Sequence, residues 1–378
     1  MNSNQKTVSA NEAHTGKAPW ITITKRDGVG VKRRILIRAI AILGALVVGS
    51  IITPLITGDN PFSIYGTFAK GAFSEYRIWG TAQSFVMLLG ISLAVTPAFK
   101  MKFWNIGAEG QVLAGALATA AVMFGMGEAG APDWAISVVM TIAGIAAGML
   151  WGVIPAVFKA FWKTNETLFT LMLNYVAIQL VAFFLTVADK SGSNTVGPSL
   201  LSHGRLPVLF GQQYMLNIII VTLLTAFIYV YLYYSKHGYE IAVVGESENT
   251  ARYIGINVKK VIIRTMALSG AICGLIGLLL VGATSYSIDT NLAGGNGFTA
   301  IMVSWLAKFN PLFMVLTAAL IVFMSRGAEE VSTKFGLNAS YSEILTGIIL
   351  FFIIGCEFFI NYEVHFNRRS AEKKEEAK

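Results

Sequence analysis

Residues 236–260, KHGYEIAVVGESENTARYIGINVKK, form a polar stretch between two long apolar segments. The stretch contains residues that typically begin and end helices. Gly238 permits a turn, Ser247 or Asn249 can cap a short helix, and Gly255 can end it. The pattern predicts two helices joined by a turn, lying at a membrane surface.

The short second helix of this stretch is predicted to be amphipathic. Ala251, Tyr253 and Ile254 are expected to project from it and to insert into a cleft of another protein. The charged rim of this surface would consist of Glu246, Glu248 and Arg252. A solvated loop without a partner is the alternative interpretation.

The apolar segments on either side belong to a chain that is 54% hydrophobic and only 13% charged over 378 residues. Such a composition is typical of a membrane protein. Apolar runs long enough to cross the bilayer lie at residues 36–57, 79–99, 106–126, 135–158, 168–187, 215–235, 262–283 and 341–361. Shorter runs lie at 296–307 and 311–325. The prediction is an all-α polytopic protein with about ten transmembrane helices.

Lys and Arg side chains resist translocation, so their distribution predicts the orientation of the chain. With both termini in the cytoplasm, only six of the 29 Lys and Arg residues fall in external segments. These six are Lys70, Arg77, Lys190, Arg205, Arg326 and Lys334. Orientation in the membrane and attraction to membrane lipids therefore explain the net charge of +8, and no nucleic-acid partner is expected.

Three regions are expected along the chain. Residues 1–34 form a basic cytoplasmic extension without the apolar core of a secretory signal. Residues 35–361 form the transmembrane domain, with the polar stretch as a cytoplasmic loop, and residues 362–378 form a charged cytoplasmic tail. The two cysteines, Cys273 and Cys356, lie in predicted spans, so no disulfide or metal site is expected.

Motifs for catalysis are missing from the sequence. It contains no Gly-x4-Gly-Lys-Ser/Thr phosphate loop, no His-Glu-x2-His metal motif and no Gly-x-Ser-x-Gly elbow. No catalytic residue and no bound cofactor are therefore expected, and the chain is predicted not to be an enzyme.

Polar side chains occur at the start of two predicted spans, where they are costly. They are Asn105, Glu109 and Gln111 in NIGAEGQ, and Asn165, Glu166 and Asn174 in TNETLFTLMLNY. One interpretation is that the acids cap the first turns of their own helices. The other is that Asn105, Glu109, Gln111, Asn165 and Asn174 line a pathway for an uncharged polar solute.

Small residues recur at a spacing that favours close helix packing in a bilayer. They are Gly144, Gly148 and Gly152 in one predicted span, and Gly270, Gly274 and Gly277 in another. The spans show no convincing chain of acidic residues for proton or sodium coupling, although Glu343 and Glu357 lie near the last span. The energy for any transport is therefore expected to come from another protein.

Three motifs together resemble the permease subunits of ABC importers in the branched-chain amino acid, ribose and nucleoside branch. They are NIGAEGQ at 105–111, LMLNY at 171–175 and GESENTARYIGI at 245–256, and the resemblance covers roughly residues 35–361. The NIGAEGQ motif is most similar to that of permeases that work with basic-membrane-protein lipoproteins and import nucleosides.

This resemblance implies a BtuC-like helical bundle in the bacterial cell membrane. Expected partners are a cytoplasmic ATPase that binds ATP and magnesium, a second permease subunit that makes a heterodimer, and an extracytoplasmic substrate-binding lipoprotein. The implied ATPase-coupling residues are Gly245, Glu246, Ser247, Ala251, Arg252, Gly255 and Ile256.

Alternative functions remain open at this point. The solute is a nucleoside by resemblance, and ribose or another small sugar is the alternative. An ion-coupled secondary transporter would require intramembrane carboxylates, and a membrane-embedded enzyme would require a catalytic constellation.

Overall fold

The computed structural model describes residues 21–25, 30–57, 66–68, 70–71, 73–74, 77–189 and 193–366. Helices dominate these residues. They are α1 (Val31–Thr57), α2 (Ile78–Lys100), α3 (Ala108–Glu128), α4 (Asp133–Trp162), α5 (Glu166–Ala188), α6 (Met215–Tyr234), α7 (Lys236–Glu246), α8 (Glu248–Tyr253), α9 (Val258–Leu279), α10 (Asn296–Leu306), α11 (Pro311–Lys334) and α12 (Ala339–Asn361). The strands are β1 (Ile21–Lys25), β2 (Thr195–Val196), β3 (Ile288–Asp289) and β4 (Tyr362–Phe366), and a π-helical turn, Leu280–Ser285, follows α9.

Eight helices in the described part of the chain are long and apolar enough to cross a membrane. They are α2, α3, α4, α5, α6, α9 with its π-helical turn, α11 and most of α12. The prediction of an all-α polytopic membrane protein is therefore confirmed. The number of crossings and the side on which each terminus lies stay predictions, and residues 1–20 and 367–378 lie outside the described residues.

The chain divides into two compact units, and the first contains residues up to Ile52 and from Gly347 onward. Strand β1 pairs antiparallel with β4, so that Ile21 lies opposite Phe366 and Lys25 opposite Tyr362. Within the same unit, Gly44 of α1 packs against the ring of Phe352. An exposed apolar stripe along α1, suited to contact with lipid, consists of Leu36, Ile40, Leu43, Val47 and Ile51.

The second unit, Thr53–Thr346, is built around α9. This helix is the most buried of the candidate spans. Its Gly270 and Gly274 lie against the glycines of α4, and its Gly277 lies against the backbone of α3. A side chain at Gly148 would place its Cβ 2.5 Å from both the Gly270 carbonyl oxygen and the Gly274 Cα. The predicted close packing of these two glycine series is confirmed. Because real Cβ atoms do not approach backbone so closely, only glycine permits this helix separation.

Helix α11 is longer than the predicted run at 311–325. That prediction was wrong because Arg326, Glu329 and Glu330 end the apolar run in the sequence without ending the helix. Arg326 binds Glu329 at 2.6 Å, and Glu330 binds Arg77 at 2.8 Å. Paired charges can thus continue a helix beyond its apolar segment.

Helix α10 is short, at 11 residues, as its apolar run predicted. It begins after Gly295, whose φ of 73° is in the left-handed region. Its other end packs in an aromatic cluster, where the rings of Trp305 and Trp104 lie 5.6 Å apart.

Candidate coupling surface and intramembrane polar clusters

Residues 236–260 contain the two predicted short helices, and the residues expected to cap and end the second one do so. The Ser247 hydroxyl accepts a hydrogen bond from the Thr250 N–H at 3.2 Å and so caps α8. Gly255 follows α8 with a φ of 85°, which ends the helix. Asn257 then caps α9 by accepting from the Lys260 N–H at 3.1 Å.

The turn expected at Gly238 is not there, because this residue lies in the first turn of α7. Ser235 caps α7 instead, accepting from the Gly238 N–H at 3.0 Å. A Cβ at Gly238 would lie 2.5 Å from the carbonyl oxygen of Tyr231. The glycine therefore permits a close approach between α7 and the end of α6.

Helix α7 is fixed to the rest of the bundle on two sides. Gly245 is buried directly against the main-chain carbonyl of Lys100, at the end of α2. Glu240 binds Arg264 of α9 at 2.8 Å, and both side chains are largely buried. A rigid-body movement of α7 would therefore also move α2 and α9.

Ala251 was expected to project from α8, and this prediction was wrong. The residue is 0% exposed and anchors α8 against the bundle, while its carbonyl accepts from the Ile256 N–H at 2.9 Å. Tyr253 is 92% exposed, and Ile254 is 51% exposed. The short helix and the residue that follows it therefore present Tyr253 and Ile254 outward, and the helix presents Ala251 inward.

We use the name coupling surface for the exposed residues Glu246, Glu248, Arg252, Tyr253 and Ile254. Arg252 and Glu248 form an ion pair at 3.1 Å across one turn of α8. Of the other residues expected at the ATPase contact, Gly255 is exposed, Ser247 and Ile256 are half-buried, and Gly245 lies beneath the surface.

The polar residues of NIGAEGQ meet α9 inside the protein. Asn105 is 0% exposed, and its Nδ2 donates to Gln111 Oε1 at 3.4 Å and to Ser269 Oγ at 3.3 Å. Gln111 Nε2 donates back to Asn105 Oδ1 at 3.2 Å. In this conformation the two amides satisfy each other and face protein.

Asn174 and Asn165, both on the N-terminal half of the α5 region, take different roles. Asn174 is buried and bridges to the neighbouring segment, donating to the Ile106 carbonyl at 2.9 Å and accepting from the Gly110 N–H at 2.8 Å. Asn165 is exposed and caps α5 by accepting from the Thr167 N–H at 3.1 Å. It also lines an open groove of about 440 Å³ beside α5.

Glu109 caps a helix, although not the one to which it belongs. Its two carboxylate oxygens accept from the main-chain N–H groups of Gly295 at 2.8 Å and Gly297 at 2.7 Å, where α10 begins. A negative charge is favourable at this end of a helix. The other acid, Glu166, binds Lys159 of α4 at 2.7 Å.

A further buried polar cluster, which the sequence did not single out, lies at the π-helical turn. Thr284 Oγ1 accepts from Gln83 Nε2 at 2.7 Å and from Asn217 Nδ2 at 2.8 Å. It joins α2, α6 and the end of α9. Each residue is a single polar side chain near an apolar run, so their proximity was not readable from the sequence. Irregular turns of this kind often occur at functional sites.

Groups of acidic, histidine or cysteine side chains able to hold a metal ion do not occur among the described residues. Cys273 and Cys356 are both buried and form no disulfide with each other. The fold defines a multi-pass membrane protein with a pair of short helices, α7 and α8, between two of its candidate spans.

The chain belongs to the family described as "Branched-chain amino acid transport system / permease component", whose model matches residues 78–354. It is therefore a transport subunit of ABC type. The chain is 30% identical to the guanosine ABC transporter permease protein NupP of Bacillus subtilis, over 91% of this chain and 99% of the relative.

Two other relatives are similar over most of their length. The glucose ABC transporter permease protein TsgB13 of Haloferax volcanii is 28% identical, over 89% of this chain and 92% of the relative. The nucleoside ABC transporter permease protein NupB of Lactococcus lactis is 27% identical, over 91% of this chain and 96% of the relative.

Proposed function

We propose that this chain is the permease subunit of an ATP-driven importer that moves nucleosides across the cell membrane. The observation that carries the proposal is the near full-length similarity to a guanosine permease, supported by a second nucleoside permease. The membrane-spanning helices supply the route, and a separate ATPase supplies the energy.

The coupling surface is the proposed contact with that ATPase. Tyr253 and Ile254 give it an exposed apolar centre, and the ion pair of Glu248 and Arg252 gives it a charged rim. An exposed tyrosine with charged neighbours is typical of residues that dominate a protein interface. Movement of the bound ATPase would pass through Gly245 and Glu240 into α2 and α9.

The solute pathway is proposed to run beside the residues Asn105, Glu109, Gln111, Asn165 and Asn174. In the present conformation Asn105 and Gln111 bind each other and Ser269. Rocking of the helices during the transport cycle would exchange these hydrogen bonds for bonds to the hydroxyl and base groups of a nucleoside.

The remaining partners are proposed from membership of the ABC permease family. A second permease subunit would complete the route as a heterodimer, and an external lipoprotein would deliver the nucleoside. The ATPase, not this chain, would bind ATP and magnesium.

A small sugar is the second candidate solute. The specific observation that favours it is the 28% identity to a glucose permease over nearly the whole chain. Nucleosides contain a ribose, so hydrogen-bonding groups suited to one solute also suit part of the other.

Uptake by intact cells tests the solute and the energy source together. Radiolabelled uridine, adenosine, guanosine and ribose are supplied to cells with and without the gene, in parallel with an ionophore and with ATP maintained. Nucleoside uptake is expected to require the gene and to resist the ionophore. Loss of ribose uptake alone would favour the sugar, and ionophore-sensitive uptake would overturn the ATP-driven function.

Charge reversal tests the coupling surface separately. The double variant Glu246→Lys with Arg252→Glu is expected to lose ATPase binding, measured by co-purification, while its yield and elution profile stay unchanged. Reversal of Glu128, which is exposed in α3, serves as the control and leaves binding unaltered. Normal transport by the double variant would exclude this surface.

A further inference from the structure

A groove with a mixed basic and apolar lining lies at the same end of the bundle as the coupling surface. It has a volume of about 390 Å³ and lies where the end of α4 meets the first turns of α9. Its lining residues are Phe161, Asn257, Lys259, Lys260, Ile263 and Arg264. We call it the basic groove. No acidic side chain is among these lining residues.

The cations of the basic groove are available to an anion. Lys259 and Lys260 are exposed, and Lys259 Nζ lies 4.5 Å from the centre of the Phe161 ring. Arg264 is partly neutralised by Glu240, so the two lysines supply the net positive charge.

Arg264 also has an unused hydrogen-bond donor. Its Nε is buried and donates to no acceptor among the described residues. A buried donor without an acceptor is costly, so a ligand oxygen that reached this Nε would be favoured. Charge and donor therefore favour the same kind of ligand.

Apolar side chains continue from the groove along α4. Leu150, Ile154, Phe158 and Trp162 are spaced four residues apart and are all exposed, so they form one stripe on the helix surface. The rings of Phe158 and Trp162 lie 5.3 Å apart at its end. This stripe leads from the charged groove toward the hydrocarbon layer.

We propose that the basic groove binds the phosphate of an anionic glycerophospholipid, with an acyl chain lying along the α4 stripe. A soluble anion would use only the lysines and Arg264, whereas a lipid matches both the charges and the adjoining apolar stripe. Basic pockets between helices at a membrane surface bind phospholipid headgroups in this way. The bound lipid holds α4 against α9 beside the coupling surface.

Native mass spectrometry of the purified full transporter tests the site, with phosphatidylglycerol as the anionic probe and phosphatidylcholine as the neutral one. The variant Lys259→Gln/Lys260→Gln is expected to bind phosphatidylglycerol roughly 25-fold more weakly, about fivefold for each lysine. The variant Lys259→Arg/Lys260→Arg keeps the charge and is expected to retain binding.

A matched control removes two exposed lysines outside the groove, in Lys102→Gln/Lys308→Gln, and is expected to change the affinity less than twofold. Equal loss in the control would show diffuse charge attraction and overturn the site. Unchanged binding in the groove variant would also overturn it. If the groove variant lost the ATPase subunit but kept full lipid binding, the groove would be a protein contact, and the proposal would also be overturned.

Discussion

Glu109 shows how one side chain can hold two parts of this bundle together. Its carboxylate, near the start of α3, accepts from two N–H groups at the start of α10, a segment 186 or more residues further along the chain. Both oxygens are used, and the charge complements the positive end of the α10 dipole. The residue therefore determines where the short helix begins relative to α3.

Glu109→Leu is expected to lower stability by about 2 to 3 kcal/mol, because a buried N–H donor at Gly297 and a half-buried one at Gly295 would lose a charged acceptor. Glu109→Gln, which keeps one acceptor oxygen, should lower it by roughly half as much. Thermal unfolding of the purified protein in detergent measures the change. Glu128→Gln, at the exposed opposite end of α3, is the control, and an equal effect there would contradict the capping role.

The sequence identified these polar residues but not their partners. Glu109 starts α3, so a cap on its own helix was the local interpretation, and only the tertiary structure brings Gly295 and Gly297 to it. Similarly, nothing local distinguishes the inner face of the six-residue α8. Ala251 is nevertheless buried, because α8 packs against the helices on either side of it, α7 and α9. Caps such as Ser247 were predictable because they bind residues three positions away.

At the scale of elements, the contact between α4 and α9 depends on the absence of side chains. Gly148→Ala is expected to cost about 1 to 3 kcal/mol, because its methyl group would meet the backbone of α9 at two points. The yield of monodisperse protein by size-exclusion chromatography should fall. Gly125→Ala in α3 meets nothing within 4 Å and is expected to leave the yield unchanged. Equal yields of the Gly148→Ala and Gly125→Ala variants would contradict the close packing of α4 against α9.

The π-helical turn provides a second test at this scale. Thr284→Val removes the acceptor shared by Gln83 and Asn217, and is expected to destabilise the protein by about 1 to 3 kcal/mol. Thr222→Val is the matched control, since the Thr222 hydroxyl binds only within its own helix, to the Ile218 carbonyl at 2.7 Å. If the thermal unfolding midpoints of the Thr284→Val and Thr222→Val variants fell equally, the cluster would not be what joins the helices.

The elements themselves were largely predictable, since apolar runs and glycine spacing are properties of single segments. Helix α11 was predicted too short because its final turns are charged and use ion pairs with other residues. The polar cluster at the π-helical turn has no local signal, because Thr284 accepts from Gln83 and Asn217, which lie on other helices.

At the scale of the whole molecule, the proposed role of the coupling surface is to connect the membrane helices to the ATPase. Tyr253→Ala is expected to reduce ATPase binding at least tenfold, because truncation of an aromatic anchor at an interface typically costs about 2 kcal/mol or more of binding free energy. Binding is measured with the purified ATPase by surface plasmon resonance. The variant Phe210→Ala, which removes another highly exposed aromatic ring, between α5 and α6, should bind normally. Similar losses in both variants would argue against a specific contact.

Transport by the assembled complex tests the central claim most directly. Proteoliposomes that contain both permeases and the ATPase, supplied with the external lipoprotein and with ATP on the ATPase side, are assayed for labelled guanosine and uridine uptake without any ion gradient. Uptake that requires ATP and is lost with Tyr253→Ala is the predicted result. Uptake that proceeds without ATP under a sodium or proton gradient, or none in the complete ATP-supplied system, would contradict an ATP-driven nucleoside permease.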